Sequence, residues 1–379
     1  MDQKLAVLFM PDDMTLTKEQ TPLMLRPILF CPILTWMVEE LMGRGIERFF
    51  IVSDKRAHDM MCPYVPENAD VVYVDGARHG EELLTLLKDE KGSVLIVNGA
   101  VLPVGVFSGG AVYSADAKEC CKVLKEHGAF AAFPKGAEIT KGFLPVGDDE
   151  ELRSAQDMCR RKIADKHFAA GVSIMDPNNT YIDPRVKIGS GTVILPGTIL
   201  RGRTVIGKNC TIGPNATIRD CTVGDETEVN ASQLNESTVG AHTTVGPFAY
   251  VRPNSKIGDL VKVGDFVEIK NSVIGNGTKI SHLTYVGDSD CGERINFGCG
   301  TVTTNYDGFK KFRCTIGDDA FIGCNTNLIA PVTVGNGSYI AAGSTITDEV
   351  PADSLAIARE RQVNKPGWAE QWRAAHEKK

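Results

Sequence analysis

A six-residue repeat runs through residues 182–218, which read IDPRVKIGSGTVILPGTILRGRTVIGKNCTIGPNATI. Glycine follows the repeated aliphatic residue several times, as in Ile188-Gly189 and Ile206-Gly207. The aliphatic positions are Ile182, Ile188, Ile194, Leu200, Ile206, Ile212 and Ile218. A period of six matches neither an α-helix, with about 3.6 residues per turn, nor an alternating β-strand. It predicts a parallel β-helix of hexapeptides, with the aliphatic side chains inside a prism and glycine or asparagine at its corners.

The beat continues, with a few one-residue slips, as far as residue 350. The later aliphatic positions are Val223, Val229, Leu234, Val239, Val245, Val251, Ile257, Val263, Ile269, Ile316, Ile322, Leu328, Val334, Ile340 and Ile346. If three hexapeptides close one turn, residues 182–350 form about nine coils. The period does not fix their handedness. A break at Thr301–Arg313, TVTTNYDGFKKFR, lacks the inward aliphatic residue, so this stretch is expected to leave the prism as a loop.

The first half of the chain has a different pattern, in which short apolar strands alternate with amphipathic helices. The strands are expected at Leu5–Phe9, Phe49–Ser53 and Val94–Asn98, and helices at Ile33–Met42 and Ser114–His127. Ser114 is the expected N-cap of the second helix, and Gly128 lies just past its end. This alternation predicts a parallel α/β sheet.

A charged amphipathic helix over Asp148–Phe168 would join the two halves. We therefore expect an α/β domain over residues 1–147, a linker over 148–178, a β-helix over 179–365 and a tail over 366–379.

Composition excludes several classes of protein. Apolar residues make up 42% and charged residues 23%, which is typical of a folded globular chain. The formal charge of −7 and the lack of a basic block disfavour nucleic acid or an anionic membrane as a partner. Apolar runs such as Leu5–Met10 are much shorter than the ~20 residues of a spanning helix, and Pro11-Asp12-Asp13 ends the first one too early for a signal peptide. A cytoplasmic protein is expected.

The 11 cysteines are scattered and include no CxxC pair. They are therefore expected to be reduced and mostly buried, and neither a disulfide framework nor a structural zinc site is predicted.

Candidate chemical groups cluster between Phe248 and Asp307. The cluster consists of Arg252, Lys270, His282, Tyr285, Asn296 and Asn305, all outside the inward aliphatic positions. A histidine base beside cationic groups suits an amine or hydroxyl nucleophile that acts on an anionic substrate. Spacing alone also allows a plainer interpretation, in which these are solvated surface residues and the NYDG sequence is an ordinary turn.

Eight successive motifs carry a resemblance to a known family. They are PFAYVRPNSKIGD, VGDFVEIKNSVIG, SHLTYVGD, INFGCGTVTTNYDG, KFRCTIGDDAFIG, NLIAPVTVG, IAAGSTIT and LAIAR, which extend from Pro247 to Arg359. This run strongly resembles the acetyltransferase domain of the bacterial bifunctional enzymes that make UDP-N-acetylglucosamine, a precursor of the cell wall. Those enzymes join glucosamine-1-phosphate acetyltransferase to N-acetylglucosamine-1-phosphate uridylyltransferase.

The resemblance implies a left-handed β-helix that assembles as a homotrimer, with each active site between rods. It implies that acetyl-CoA is the co-substrate and an amino-sugar phosphate the acceptor, with His282 as the catalytic base. By the same resemblance, Arg252, Lys270, Tyr285, Asn296, Asn305 and Lys311 bind the sugar phosphate. Cys324, where serine is common in the family, binds acetyl-CoA together with Ala342 and Arg359. Gly367-Trp368 and Lys378-Lys379 resemble the basic C-terminus of the family.

The first half lacks the residues that nucleotide transfer needs, namely a glycine-rich loop, a phosphate-binding lysine and a metal-binding aspartate. No glycine occurs in Phe9–Met14, Leu23 replaces the lysine of the family, and Ala100 replaces its aspartate. Asp148 corresponds to a second metal ligand, which alone is insufficient. This half therefore resembles a shortened, degenerate uridylyltransferase domain of Rossmann-like fold, without activity and without Mg²⁺.

Two other functions remain open at this point. One is a sugar-phosphate nucleotidyltransferase with altered motifs, and the other is a non-catalytic regulatory paralogue. The identity of the amine acceptor is also open, because a relaxed specificity would leave the same motif residues.

Overall fold

The structure is a computed structural model that describes residues 4–10, 22–105, 110–130 and 133–376. Its contacts divide the chain into two compact units, Met1–Asp220 and Cys221–Lys379. The domain boundaries expected from the sequence stay a prediction. The predicted loop after the first strand lies largely outside the described residues, as do Thr21 and the Lys378-Lys379 pair.

The first unit contains a six-stranded mixed sheet. Its strands, in spatial order, are Asp70–Asp75, Arg48–Ser53, Leu5–Phe9, Ser93–Asn98, Val112–Asp116 and Glu138–Ile139. The first four strands are parallel, as predicted. Each of the last two is antiparallel to the strand before it, so the predicted parallel sheet carries a mixed edge.

The described residues of the first unit form five helices. They are α1 (Ile33–Gly43), α2 (Lys55–Met61), α3 (His79–Leu87), α4 (Ala117–His127) and α5 (Asp149–Ala169). The predicted start of α4 was wrong, because Ser114 lies inside a buried strand and Asp116 is the N-cap. Four buried residues in a row favour that strand over the first turn of a helix. The predicted end of α4 is confirmed, since Gly128 adopts the left-handed conformation there.

Short elements complete the unit outside the repeat region. They are the strands Pro27–Ile28, Cys31–Pro32, Val101–Leu102 and Leu144–Pro145 and the 3₁₀ turns Leu23–Leu25, Cys62–Tyr64, Gly76–Arg78 and Pro177–Asn179. The core of the α/β part lies between the sheet and helices α3 and α4, where Val7, Phe50 and Ile96 are fully buried.

The first unit also contains the first hexapeptide coils. Their strands are Ser173–Ile174, Val193–Ile194 and Thr211–Ile212 on one face, Tyr181–Ile182, Ile199–Arg201 and Thr217–Arg219 on another, and Lys187–Ile188 and Val205–Ile206 on the third. All pairings between them are parallel.

The second unit continues the repeat with three parallel walls. The first wall holds Glu228–Val229, Thr244–Val245, Lys262–Asp265, Lys279–His282, Asn296–Phe297, Phe321–Ile322, Tyr339–Ile340 and Leu355–Ala356. The second wall holds Gln233–Asn235, Tyr250–Val251, Glu268–Lys270, Tyr285–Gly287, Val302–Thr304, Asn327–Ile329 and Thr345–Ile346. The third wall holds Thr222–Val223, Thr238–Val239, Lys256–Ile257, Val273–Ile274, Ser289–Cys291, Cys314–Ile316 and Val332–Val334.

The predicted parallel β-helix is confirmed, and the stacking is consistent with a left-handed one. Every aliphatic position that the six-residue beat identifies is buried. The predicted loop is shorter than expected, because Val302–Thr304 remains a strand of the second wall. Thr303 occupies the inward position there, and its hydroxyl donates to the carbonyl of Gly287 at 3.1 Å. The loop itself starts at Asn305, and the repeat resumes with the strand at Cys314.

One more helix, α6 (Trp368–His376), follows the last coil, and all its residues are exposed. Within the described ranges, no helix has the length and apolarity that crossing a membrane requires. Eight of the cysteines in the described residues are buried, and none forms a disulfide.

Candidate active site

His282 is the last residue of one of two adjacent lengthened strands in the first wall. Lys262–Asp265 and Lys279–His282 are four residues long, whereas the adjacent strands Thr244–Val245 and Asn296–Phe297 have two. The extra residues bring Asp265 into register with His282, and Nδ1 of His282 lies 2.5 Å from Oδ1 of Asp265. This hydrogen bond lowers the pKa of Asp265, because the imidazole stabilises the carboxylate.

The residues that follow this wall define one edge of the prism, which we call the His282 edge. It consists of Asp265, His282, Cys299, Cys324 and Ala342, each two residues past a buried inward residue. The stacking is held by backbone hydrogen bonds, such as Asn325 N–H to the Cys299 carbonyl at 2.8 Å and Gly343 N–H to the Cys324 carbonyl at 2.8 Å. At the coil spacing of a β-sheet, His282 and Ala342 lie about 14 Å apart along the edge.

Arg359 lies next to the far end of this edge. It is exposed, and its Cδ is 3.6 Å from the position that a Cβ on Gly343 would occupy. The structure therefore brings the three predicted acetyl-CoA residues to the same edge as the predicted base.

The second wall carries the predicted sugar-phosphate residues. Arg252 Nη1 donates to Glu268 Oε1 at 2.8 Å, and this bond raises the pKa of Arg252. Tyr285 follows Glu268 in register on the next coil. Its ring folds over Gly287, where a Cβ would lie 2.2 Å from the tyrosine hydroxyl, so a larger residue at that position would displace the Tyr285 ring.

Asp288 is a buried carboxylate at the centre of this group. It is 4% exposed and accepts hydrogen bonds from the side chains of Asn271 and Asn305 and, at 3.2 Å, from Lys270 Nζ. Burial alone would raise the pKa of Asp288, but these bonds outweigh it and leave the pKa below its usual range. Asp288 therefore remains charged at neutral pH and fixes both Lys270 and the start of the loop.

The loop that starts at Asn305 places a second lysine, Lys311, beside Lys270. It closes on itself through Phe312 N–H, which donates to the Asn305 carbonyl at 2.9 Å. Lys311 lies beside Lys270, whose positive charge lowers the pKa of Lys311. Burial lowers the pKa of Lys270, but the neighbouring carboxylate of Asp288 outweighs burial and raises it overall. Within the described residues, two ammonium groups and one guanidinium thus lie on the second wall and its loop, where the buried Asp288 and the half-exposed Glu268 are their counter-ions.

Asn296 is placed apart from this cluster, on the first wall, in register with Lys279 and Phe321. Within the part of the chain that the structure describes, no hydrogen bond or ion pair joins His282 to Lys270 or Arg252. The predicted residues therefore form two groups in one chain: the His282 edge, and the cations of the second wall.

Sequence reasoning missed three carboxylates of the site, Asp265, Glu268 and Asp288. Each lies about one coil from its partner, because Arg252 and Glu268 are 16 residues apart, Asp265 and His282 17, and Lys270 and Asp288 18. Three hexapeptides per coil already imply neighbours near 18 residues apart, so a search for opposite charges at 16–18 residues would have found all three pairs.

The polar residues of the α/β sheet have different partners. Asp54, Asp75, Asp116 and Asp148 each cap a helix or 3₁₀ turn, and Asp148 accepts the N–H groups of Glu150 and Glu151 at 2.9 Å. Ala100, at the position where the resembled family has an aspartate, is 3% exposed.

Fold and site together define a hexapeptide-repeat β-helix with a histidine–carboxylate pair on one edge and a cationic wall beside it. The family model for the bacterial transferase hexapeptide (six repeats) matches residues 185–220, 236–271 and 313–348.

Curated relatives confirm the resemblance inferred from the motifs. The bifunctional protein GlmU of Clostridium perfringens strain SM101 is 52% identical over 237 residues, which cover 62% of this chain and 52% of that protein. The bifunctional protein GlmU of Geobacillus sp. strain WCH70 is 49% identical over 249 residues, covering 66% and 54%. The chain thus spans about half the length of the curated relatives it matches.

Solved structures with similarity include the UDP-N-acetylglucosamine acyltransferase from Campylobacter jejuni. It is 15% identical, with a TM-score of 0.34, and the match covers 50% of this chain and 72% of that one. A likeness at this level carries no conclusion about activity.

Proposed function

We propose that the second unit is an acetyl-CoA-dependent N-acetyltransferase of glucosamine 1-phosphate or a related amino-sugar phosphate, acting in the cytoplasm in UDP-N-acetylglucosamine synthesis. The observation that carries this proposal is the pairing of His282 with Asp265 beside two cations of the second wall and a third cation from the loop. A base and a set of cations are what an amine nucleophile on a phosphorylated acceptor needs. The relatives named bifunctional GlmU support the same activity.

His282 acts as the general base in this proposal. Its Nε2 removes a proton from the substrate ammonium or from the amine as it attacks the thioester carbonyl. The new N–C bond forms, the C–S bond breaks, and the CoA thiolate leaves and takes up a proton. The products are the N-acetyl sugar phosphate and free CoA.

The cations of the second wall bind the sugar phosphate. Arg252 and Lys270 are already held by carboxylates of the next coil, so their donors are oriented before the substrate arrives. Lys311 and Asn305 come from the loop and close over the same group, while Tyr285 supplies a hydroxyl and Asn296 contacts the sugar from the first wall.

Acetyl-CoA lies along the His282 edge. Cys324 and Ala342 are small residues there, so an extended pantetheine arm passes close to the backbone. Arg359, at the far end, faces a phosphate of the cofactor.

A homotrimer completes the site. Phe248, Phe266 and Leu283 form an exposed apolar column next to His282, and the two phenylalanine rings stack at 5.5 Å. All three adopt left-handed backbone conformations, which cost bulky residues about 1–2 kcal/mol each. A neighbouring copy that covers this column explains its apolar character and closes the cleft between the two groups of site residues. Light scattering should therefore give a trimer, and a stable monomer would contradict this.

The first unit does not transfer nucleotides in this proposal and binds no Mg²⁺. Support comes from Ala100, which offers no ligand, and from Asp148, whose carboxylate is already occupied by the start of α5. UTP, Mg²⁺ and N-acetylglucosamine 1-phosphate should give no pyrophosphate above background. Robust product would favour the alternative of a nucleotidyltransferase with altered motifs.

The test of the proposal is the dependence of CoA release on the acceptor. Purified protein with acetyl-CoA should release CoA with glucosamine 1-phosphate, and much more slowly with glucosamine, which lacks the phosphate. If the protein binds acetyl-CoA but acetylates no member of a panel of amino-sugar phosphates, the proposal fails and a regulatory paralogue becomes the better account.

A further inference from the structure

We propose that Asp265 is the positioning residue of His282: it holds Nδ1–H and thereby leaves Nε2 unprotonated and directed away from the wall, ready to accept a proton. This inference rests on the proposed function, because it assigns a role in the same reaction. Asp265 touches neither substrate nor cofactor in this account and acts through the imidazole.

The local fold is built to form this pair. The strands Lys262–Asp265 and Lys279–His282 are longer than the strands on either side. Their additional residues bring Asp265 opposite His282. Leu283 N–H also donates to the Asp265 carbonyl at 3.0 Å, which fixes the backbone of both partners. An interaction that depends on a lengthened strand pair is part of the wall and not a chance contact between two flexible surface chains.

Gly264 allows the two strands to approach. A Cβ at this position would lie 1.9 Å from the carbonyl oxygen of Ser281, which is backbone and has no freedom to rotate away. Only glycine therefore permits the pairing that puts the Asp265 carboxylate against the imidazole.

The chemistry of the pair suits general-base catalysis. A carboxylate on Nδ1 selects the tautomer in which the other nitrogen has a free lone pair, and it stabilises the imidazolium that forms when that nitrogen takes a proton. The hydrogen bond from His282 keeps the pKa of Asp265 below its usual range, so the carboxylate stays charged at neutral pH.

A second histidine–carboxylate pair of the same unit offers a matched control. His242 Nδ1 lies 3.3 Å from Oε2 of Glu226, and both residues sit at corners of the prism with exposed side chains. Both residues lie outside the strands Glu228–Val229 and Thr244–Val245, and no cationic group of the second wall belongs to this pair. The His242–Glu226 pair therefore has an imidazole and a carboxylate but not the two lengthened strands.

The experiment compares Asp265→Asn with Glu226→Gln in the full-length protein. We expect Asp265→Asn to lower kcat for acetyl transfer about 10- to 100-fold, the size of loss that follows removal of the hydrogen-bond partner of a metal-bound histidine. KM for both substrates should stay within about twofold, since no substrate contact is removed. Glu226→Gln should leave kcat and KM unchanged. An active wild type with an unaltered kcat in Asp265→Asn would overturn the inference.

A spectroscopic arm separates this inference from the proposed function. In protein labelled with ¹⁵N-histidine, the His282 signals, assigned with His282→Gln, should report the Nδ1–H tautomer in the wild type and a changed tautomer balance in Asp265→Asn. If the wild type acetylates nothing, the proposed function fails, but these spectra still decide the role of Asp265. Identical His282 signals in the two proteins would overturn it.

Discussion

Four aspartates beside the α/β sheet and two aspartates of the β-helix accept hydrogen bonds from different kinds of donor. In the first unit, Asp54, Asp75, Asp116 and Asp148 accept hydrogen bonds from the backbone at the start of helices. In the second unit, Asp265 and Asp288 instead accept them from side chains that carry chemistry, namely His282, Lys270 and Asn305.

This difference in hydrogen-bond donors indicates which region of the chain carries reactive groups. A capping carboxylate stabilises its own helix and has little capacity left for a metal ion or a nucleotide. A wall carboxylate orients a base or a cation and leaves the other face of that group free for a substrate. The same residue type therefore maintains the fold in one region and prepares a site in the other.

Apart from removal of the base itself, the largest expected effect is that of Gly264→Ala, which disrupts the pairing of the two strands directly. The new methyl group must push the Ser281 backbone away and so separates Asp265 from His282. A displacement of about 1 Å at a catalytic group commonly costs about 100-fold in rate, and we expect a loss of at least that size in acetyl transfer. Gly43→Ala, where nothing lies within 4 Å of the new Cβ, is the matched control and should be harmless.

His167 provides the next largest effect, on stability in acid. It is 3% exposed, its Nε2 lacks a partner in the part of the chain that the structure describes, and burial lowers its pKa to about 4. Between pH 6.5 and 4 the unfolded chain binds a proton that the folded chain does not, so the folded state loses stability as the pH falls through this window. The loss reaches about 3 kcal/mol at pH 4 and levels off below it.

Urea unfolding between pH 7 and pH 4, followed through the fluorescence of the buried Trp36, measures this loss. His167→Leu should show a smaller decrease over the same range, and the difference between the two proteins is the contribution of His167. Equal decreases in the two proteins would mean that the pKa of His167 is not lowered in the folded protein.

Lys270→Ala tests the second wall and should act on substrate affinity. Loss of a charged hydrogen bond costs about 1.5–3 kcal/mol, which corresponds to about a 10- to 100-fold rise in KM for the sugar phosphate, with a smaller change in kcat. Lys256→Ala, on the third wall, is the control and should change neither constant. A fall in kcat alone would assign Lys270 to the chemical step.

The sequence predicted the repeat well because a prism has a single inward direction, which every sixth residue must fill. The aliphatic positions of the repeat, from Ile182 to Ile346, are buried for that reason. The inward position of Thr303 was not predicted, because the repeat was identified by aliphatic residues. The Thr303 hydroxyl donates a hydrogen bond to the Gly287 carbonyl. The α/β half was predicted less accurately, since Ser114 favours a helix N-cap locally but is drawn into a strand by its buried neighbours.

The predicted site residues came from motifs, whereas the sequence narrows their carboxylate partners only to opposite charges 16–18 residues away. Asp265 and Asp288 lie one coil away from His282 and Lys270, and the one-residue slips of the beat hide which residue faces which. Only the register of the coils determines that Asp265 meets His282.

The smallest expected effect is that of Asp148→Ala. Loss of an N-cap should lower the free energy of unfolding by about 1 kcal/mol and leave acetyl transfer unchanged. Urea unfolding and the CoA-release assay check the two halves of this statement. A marked loss of activity would mean that the capping residues also serve the reaction, against the contrast drawn above.

The most direct test of the account is the rate of CoA release by His282→Ala, compared with the wild type at saturating acetyl-CoA and glucosamine 1-phosphate. General-base catalysis typically contributes about 10²- to 10⁴-fold, so the account predicts a loss of that size with an unchanged oligomeric state and unchanged binding of acetyl-CoA. A His282→Ala protein that releases CoA within about threefold of the wild-type rate would contradict the assignment of His282 as the base, and with it the mechanism proposed for the second unit.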